Sequence, residues 1–142
     1  MLAKVHSHIV DELGQSARTD TIFVITAVVF NLIVLGVNSA VAGEAASRNR
    51  GTASLDVTMV IFILLVILVN VIAISALLVG KQTRGKLLQG LMQMYRDQDV
   101  DKYYDLSLLT NYDKRYGMFT AVLLCLGVTA VLVPLVVRFI GS

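Results

Sequence analysis

The stretch VTMVIFILLVILVNVIAISALLV, residues 57–79, runs for 23 residues without a charged side chain. Two comparable stretches are TIFVITAVVFNLIVLGVNSAVA at 21–42 and MFTAVLLCLGVTAVLVPLVVRFI at 118–140, where Arg138 is the single charge. A helix rises about 1.5 Å per residue, so each stretch reaches across a hydrocarbon core of about 30 Å. The sequence therefore predicts an all-α integral membrane protein with three transmembrane helices.

The segments outside these stretches are short, so we expect one membrane domain over residues 1–142. They are an N-terminal segment at 1–20, an external loop at 43–56 and a cytoplasmic helical loop at 80–117. None has room for a soluble domain of ordinary size. The net charge of +2 is too small to indicate nucleic-acid binding.

The basic residues predict the orientation of the chain. Nine lie before residue 21 or between residues 80 and 117, namely Lys4, Arg18, Lys81, Arg84, Lys86, Arg96, Lys102, Lys114 and Arg115. Only Arg48, Arg50 and Arg138 belong to the other side. Because cytoplasmic loops carry an excess of Lys and Arg, we expect a cytoplasmic N-terminus, an outside C-terminus and an inner-membrane location.

The polar segments also carry helical patterns. Apolar residues at 2, 5, 9 and 13 predict a short amphipathic helix that lies in the membrane interface or packs on the cytoplasmic loop. In that loop we expect a helical hairpin, in which the second helix continues past Val79 and a short helix spans about 101–109. A turn is expected at 111–113, and Asp20 and Asp56 are expected to cap the first and second spans.

Four of the polar residues inside the predicted spans are candidates for an intramembrane cluster: Asn31, Asn38, Asn70 and Thr129. An unpaired carboxamide in hydrocarbon costs several kcal/mol, so each asparagine needs a partner. Counted from the cytoplasmic ends, Asn31, Asn70, Gly127 and Thr129 reach about the same depth, which predicts a polar cluster at the midplane. The asparagines can pair with one another, line a hydrated path, or join subunits through the helix face that Asn31 and Asn38 share.

All five tyrosines fall in the cytoplasmic loop, at Tyr95, Tyr103, Tyr104, Tyr112 and Tyr116. Tyrosine favours the membrane interface, so we expect these residues to act as anchors, with the loop folded back against the headgroups or onto its own helices.

Four aspartates, Asp97, Asp99, Asp101 and Asp105, match positions 1, 3, 5 and 9 of a calcium-binding loop. The match is incomplete, because Lys102 stands where the loop needs glycine and Leu108 stands where it needs a bidentate glutamate. A solvated acidic turn explains the same residues.

No serine, cysteine or carboxylate is placed for recognisable catalysis, so we expect neither an enzyme nor a cofactor. Three helices bury little surface among themselves, and small residues recur at four-residue spacing at Gly36 and Ala40 and at Ala121, Cys125 and Thr129. The prediction is a non-catalytic structural or accessory subunit that associates with itself or with other membrane subunits. The alternative is an oligomeric channel or small-solute transporter with asparagines lining its path.

Overall fold

The structure is a computed structural model that describes residues 2–47, 53–103 and 107–140. It contains three long helices, α1 (Leu2–Ser47), α2 (Ala53–Asp97) and α3 (Ser107–Ile140), and one 3-10 turn at Asp101–Tyr103. Each long helix is long and apolar enough to cross a membrane. The all-α prediction with three such helices is confirmed.

The helices extend well beyond the apolar stretches. They contain 46, 45 and 34 residues, which correspond to lengths of about 69, 67 and 51 Å. Residues 2–13 are therefore the start of α1 rather than a separate helix, and α2 continues past Val79 as predicted. We call the end of the bundle that contains residues 2–20, 80–97 and 107–117 the polar end.

The predicted turn at 111–113 is wrong, because these residues lie within α3. Asn111, Tyr112 and Asp113 include neither glycine nor proline, and α2 holds this part of α3 in place. Asp113 forms an ion pair with Lys81 at 3.1 Å, and Tyr112 packs against Arg84. The short helix expected at about 101–109 is replaced by the 3-10 turn and the first residues of α3.

Contacts along the bundle give an up-down-up arrangement. Between α1 and α2, Asn31 contacts Asn70 and Asp20 contacts Arg84, so residue numbers rise along α2 as they fall along α1. Asp20 of α1 also meets Tyr116, while Gly43 near the far end of α1 faces Val137. The helices α1 and α3 are thus parallel, and α2 is antiparallel to both.

The core follows a heptad-like repeat on each helix. Buried residues on α1 are Asp20, Val24, Ala27, Asn31, Val34, Asn38, Ala42 and Ala45, with spacings of four and three. Comparable series run from Val66 to Leu77 on α2 and from Leu123 to Pro134 on α3. This is the spacing that places side chains on one seam in coiled coils. Several positions on the seam are polar.

The outer faces of the apolar stretches consist of exposed aliphatic side chains. In the most apolar window of each helix only 28%, 22% and 17% of the residues are buried. Ile33, Leu64 and Val128 are typical, each more than half exposed. Most of the apolar surface therefore faces away from the bundle.

Candidate functional site

Asn31 and Asn70 form a reciprocal pair at the middle of the bundle. Asn31 Nδ2 donates to Asn70 Oδ1 at 3.0 Å, and Asn70 Nδ2 donates to Asn31 Oδ1 at 2.7 Å. Asn70 Nδ2 also donates to the carbonyl of Val66 at 2.8 Å. Both residues are buried, and Gly127 of α3 lies against Asn70 at the level the sequence predicts.

Gly127 leaves the space that the asparagine pair occupies. A Cβ atom on this residue would lie 3.0 Å from Asn70 Cγ and 3.1 Å from both amide heavy atoms. All three helices thus meet at this level, since α3 approaches Asn70 with a residue that has no side chain.

The other two predicted members of the cluster do not join this pair. Asn38 is fully buried and donates to the carbonyl of Met59 at 3.4 Å, and its place in a seam between subunits stays a prediction. Its Oδ1 has no hydrogen-bond partner within residues 2–47, 53–103 and 107–140. Thr129 donates to the carbonyl of Cys125 at 2.8 Å on an outer face of α3. It is two residues, about 200°, around the helix from Gly127.

A charged cluster joins the three helices where the apolar stretches meet the polar end. The Asp20 carboxylate accepts a hydrogen bond from the Tyr116 hydroxyl and lies 3.6 Å from Arg84 Nη2. Arg84 Nη2 also donates to the carbonyl of Leu13 at 3.4 Å. Asp20 lies in the middle of α1 and does not cap a span as the sequence predicted, because α1 already begins at Leu2.

Arg84 is the most buried charged residue in the described part of the chain, with only 4% of its surface exposed. Its guanidinium carbon lies 5.5 Å from the Tyr112 ring centre and 5.6 Å from that of Tyr116. Arg84 Nε has no hydrogen-bond partner among the described residues. Removing one member of a buried ion pair costs about 3–5 kcal/mol, so this cluster holds the helices in one arrangement.

Gly80 makes room for the Asp20 carboxylate on the facing helix. A Cβ atom at this position would lie 2.6 Å from Asp20 Oδ1, closer than any real contact. The asparagine pair and the charged cluster thus share one design, in which a glycine on a neighbouring helix admits a buried polar side chain.

The opposite end of the bundle has its own ion pair. Arg138 Nε donates to Asp56 Oδ1 at 2.7 Å and Arg138 Nη2 donates to Asp56 Oδ2 at 3.1 Å. This bidentate geometry is the strong form of an arginine–carboxylate contact. It joins the start of α2 to the end of α3, and Asp56 lies within the first turn of α2.

A groove of about 610 Å³ runs between α2 and α3 at the polar end. Its lining includes the cations Lys81, Arg84 and Arg96 and the carboxylates Asp97 and Asp113. Leu88 and Met92 give it an apolar floor. This volume is in the range of small-molecule sites.

The five tyrosines occupy different environments. Tyr116 is buried in the charged cluster, and its role as an interface anchor stays a prediction. Tyr112 borders the groove, and the Tyr95 hydroxyl shares a 3.1 Å hydrogen bond with His6 Nε2 of α1. Tyr103 is 82% exposed beside Lys102, and Tyr104 lies outside the described residues.

The aspartate run is only partly described. Asp97 ends α2, Asp99 has a φ of 56° and Asp101 opens the 3-10 turn, while Asp105 lies outside the described residues. Residues 2–47, 53–103 and 107–140 contain no group of three or more His, Cys, Asp or Glu side chains placed to hold a metal ion. The calcium site stays a prediction.

The sequence alone did not predict which charged residues pair in the three ion pairs described above. One signal was present, because Asp20 continues the series Val24, Ala27 and Asn31 at spacings of four and three. Arg84 likewise follows Leu77 by seven residues on the buried face of α2. A charge in register with a core series predicts a buried charge that needs a partner.

Comparison of the chain with protein-family models, with curated proteins and with solved structures finds no match.

Proposed function

We propose that this chain is a non-catalytic integral membrane protein that serves as a structural or accessory subunit of a homo- or hetero-oligomeric membrane complex. The observation that carries the proposal is the way polar and aliphatic side chains are divided between the interior and the surface of the bundle. The three asparagines of the apolar stretches turn inward and bond within the chain, whereas the exposed faces are mostly aliphatic. Such a surface suits lipid and neighbouring transmembrane helices.

The positions of the ionic groups support insertion across a bilayer. Asp20 lies eleven residues, about 16 Å, from Asn31, and Asp56 lies fourteen residues, about 21 Å, from Asn70 in the other direction. The two charged layers are thus about 37 Å apart. This separation exceeds a hydrocarbon core of about 30 Å and lies within the 40–45 Å that includes the headgroups. The excess of basic residues at the polar end favours placing that end in the cytoplasm, in an inner membrane.

Small residues on the outer faces offer places for subunit contact. Gly36 and Ala40 are exposed on α1, and Ala121 and Cys125 are exposed on α3. Gly36 has no atom of the described residues within 4 Å of an added Cβ. Because small residues let helices approach closely, these faces are free to serve contacts between chains.

The channel alternative has less support. Asn31 and Asn70 are buried and bond to each other inside the bundle, and the groove that Asn70 borders is otherwise apolar. Flux of ions or small solutes across liposome membranes that contain the purified chain would favour the channel function over the accessory-subunit function.

The deciding experiment is the native mass of the complex after gentle extraction, with every co-purifying chain identified. We expect the chain in alkali-resistant membranes and in a complex larger than one copy. Gly36→Leu should weaken that complex, whereas Val37→Leu, at a neighbouring exposed position, should leave it intact. A chain that is washed from membranes by alkali, or that is always a lone monomer, would contradict the proposal.

A further inference from the structure

Two grooves lie along the seam between α2 and α3. The first is the charged groove at the polar end. The second lies beside the asparagine pair, has a volume of about 350 Å³ and is lined by aliphatic side chains that include Ile67, Val71, Leu124 and Val128. The seam therefore changes along its length from charged to aliphatic.

The two grooves lie on the same side of both helices. On α2, Ile74 of the aliphatic groove and Lys81 of the charged groove are seven residues apart. On α3, Tyr116 and Leu123 have the same separation. Seven residues are about two helical turns and about 10 Å, so one elongated molecule can occupy both grooves.

The charged groove offers donors for an anion. Lys81 pairs with Asp113 at 3.1 Å, but both side chains are exposed, at 44% and 65%, and a pair of this kind is worth about 0–1 kcal/mol. Lys81 can therefore exchange the Asp113 carboxylate for a phosphate at little cost in free energy. Arg84, by contrast, is buried and its Nε lacks an acceptor among the described residues. Guanidinium groups form strong charge-assisted bonds with phosphate.

We propose that the α2–α3 seam binds one anionic phospholipid, with its phosphate at Lys81 and Arg84 and an acyl chain in the aliphatic groove. This inference rests on the proposed insertion into a membrane. The dimensions agree with it. Lys81 lies eleven residues, about 16 Å, from Asn70, which is about the depth of one leaflet of a 30 Å core. Because Asp20 pairs with Arg84, the preference for an anionic headgroup rests on the weak, exposed Lys81–Asp113 pair and on Arg84 Nε, which has no acceptor among the described residues.

The test uses the full chain reconstituted in vesicles of equal phosphatidylglycerol and phosphatidylcholine, and then native mass spectrometry of the extracted protein. We expect one phosphatidylglycerol to be retained per chain, in preference to phosphatidylcholine. Lys81→Gln should lower that retention about fivefold. Lys86→Gln is the matched control, because it removes the same charge from an exposed position on α2 outside the groove, and it should have no effect.

A second pair of variants tests the aliphatic part of the site. Val128→Phe fills the groove beside Leu124, and it should lower lipid retention. Val122→Phe makes the same change at an exposed position that does not border this groove, and it should leave retention unchanged.

Several results would overturn the inference. They are equal retention of the two lipids, equal effects of the variants at positions 81 and 86, or Lys81-dependent binding of inorganic phosphate in detergent that displaces no lipid. A second copy of the chain bound along the seam would also overturn it. Failure of the proposed membrane insertion can be distinguished from failure of lipid binding, because the chain would already be lost when membranes are washed with alkali, before any reconstitution.

Discussion

Replacing the midplane asparagines by leucine tests whether their mutual hydrogen bonds stabilise the bundle. Leucine has nearly the shape of asparagine, so the substitutions remove polarity with little change in volume. Asn31→Leu leaves Asn70 with its bond to the Val66 carbonyl, whereas Asn70→Leu leaves Asn31 with no partner among the described residues. The second change should therefore cost more than the first.

The magnitude follows from the number of bonds lost. A hydrogen bond between transmembrane helices contributes on average about 0.6 kcal/mol and at most about 1.7 kcal/mol, and each single variant loses two. We expect a loss in unfolding free energy of about 1 kcal/mol for Asn31→Leu and about 2 kcal/mol for Asn70→Leu. The double variant, which leaves no unpaired amide, should lose about 1 kcal/mol, giving a coupling of about 2 kcal/mol.

The assay is reversible unfolding in mixed micelles at rising dodecyl sulfate fraction, followed by circular dichroism. Asn38→Leu combined with Asn70→Leu is the control, because Asn38 bonds to Met59 and not to the pair. That combination should be additive within about 0.5 kcal/mol. If the Asn31/Asn70 double variant instead lost the sum of the two single effects, the reasoning would be refuted.

Further changes are expected to act in the same unfolding assay as follows. Gly80→Ala should lower the free energy of unfolding by about 2 kcal/mol, because its Cβ would clash with the buried Asp20 carboxylate. Gly85→Ala, with open space around it in the described chain, should raise the free energy of unfolding by up to about 1 kcal/mol. Equal effects of the two would contradict the close approach. Leu123→Ala should cost about 2–5 kcal/mol because the residue is fully buried, and Leu124→Ala, half exposed, should cost much less. Arg138→Gln should lower the free energy of unfolding more at low salt than at high salt, and a salt-independent loss would exclude an electrostatic cause.

Counting along the helices predicts depth well. The uniform rise of an α-helix places Asn31, Asn70 and Gly127 at one level from sequence alone, and the structure confirms their contact. Counting does not give rotation about the helix axis. Thr129 has nearly the same depth but faces outward, since the position of α3 relative to its neighbours is set by packing along its whole length.

The ends of the helices and their charges were harder to predict. Asp20 before an apolar run has two physical explanations, a helix cap or a buried partner, and the cap needs no information about other helices. The correct explanation depends on Arg84 and Tyr116, which are 64 and 96 residues away in sequence. The turn expected at 111–113 failed for the same reason, because contacts with α2 stabilise helix where local preference is weak.

The ion pairs at the two ends of the bundle bear on the order in which the chain assembles during synthesis. Once α1 and α2 have emerged, their asparagines can already bond to each other, so the middle of this hairpin is complete without α3. Its two ends are not complete, because Tyr116 and Arg138 are still to be synthesised. A chain stalled before α3 would therefore be a hairpin that is hydrogen-bonded at its middle but lacks, at its two ends, the contacts that Tyr116 and Arg138 supply.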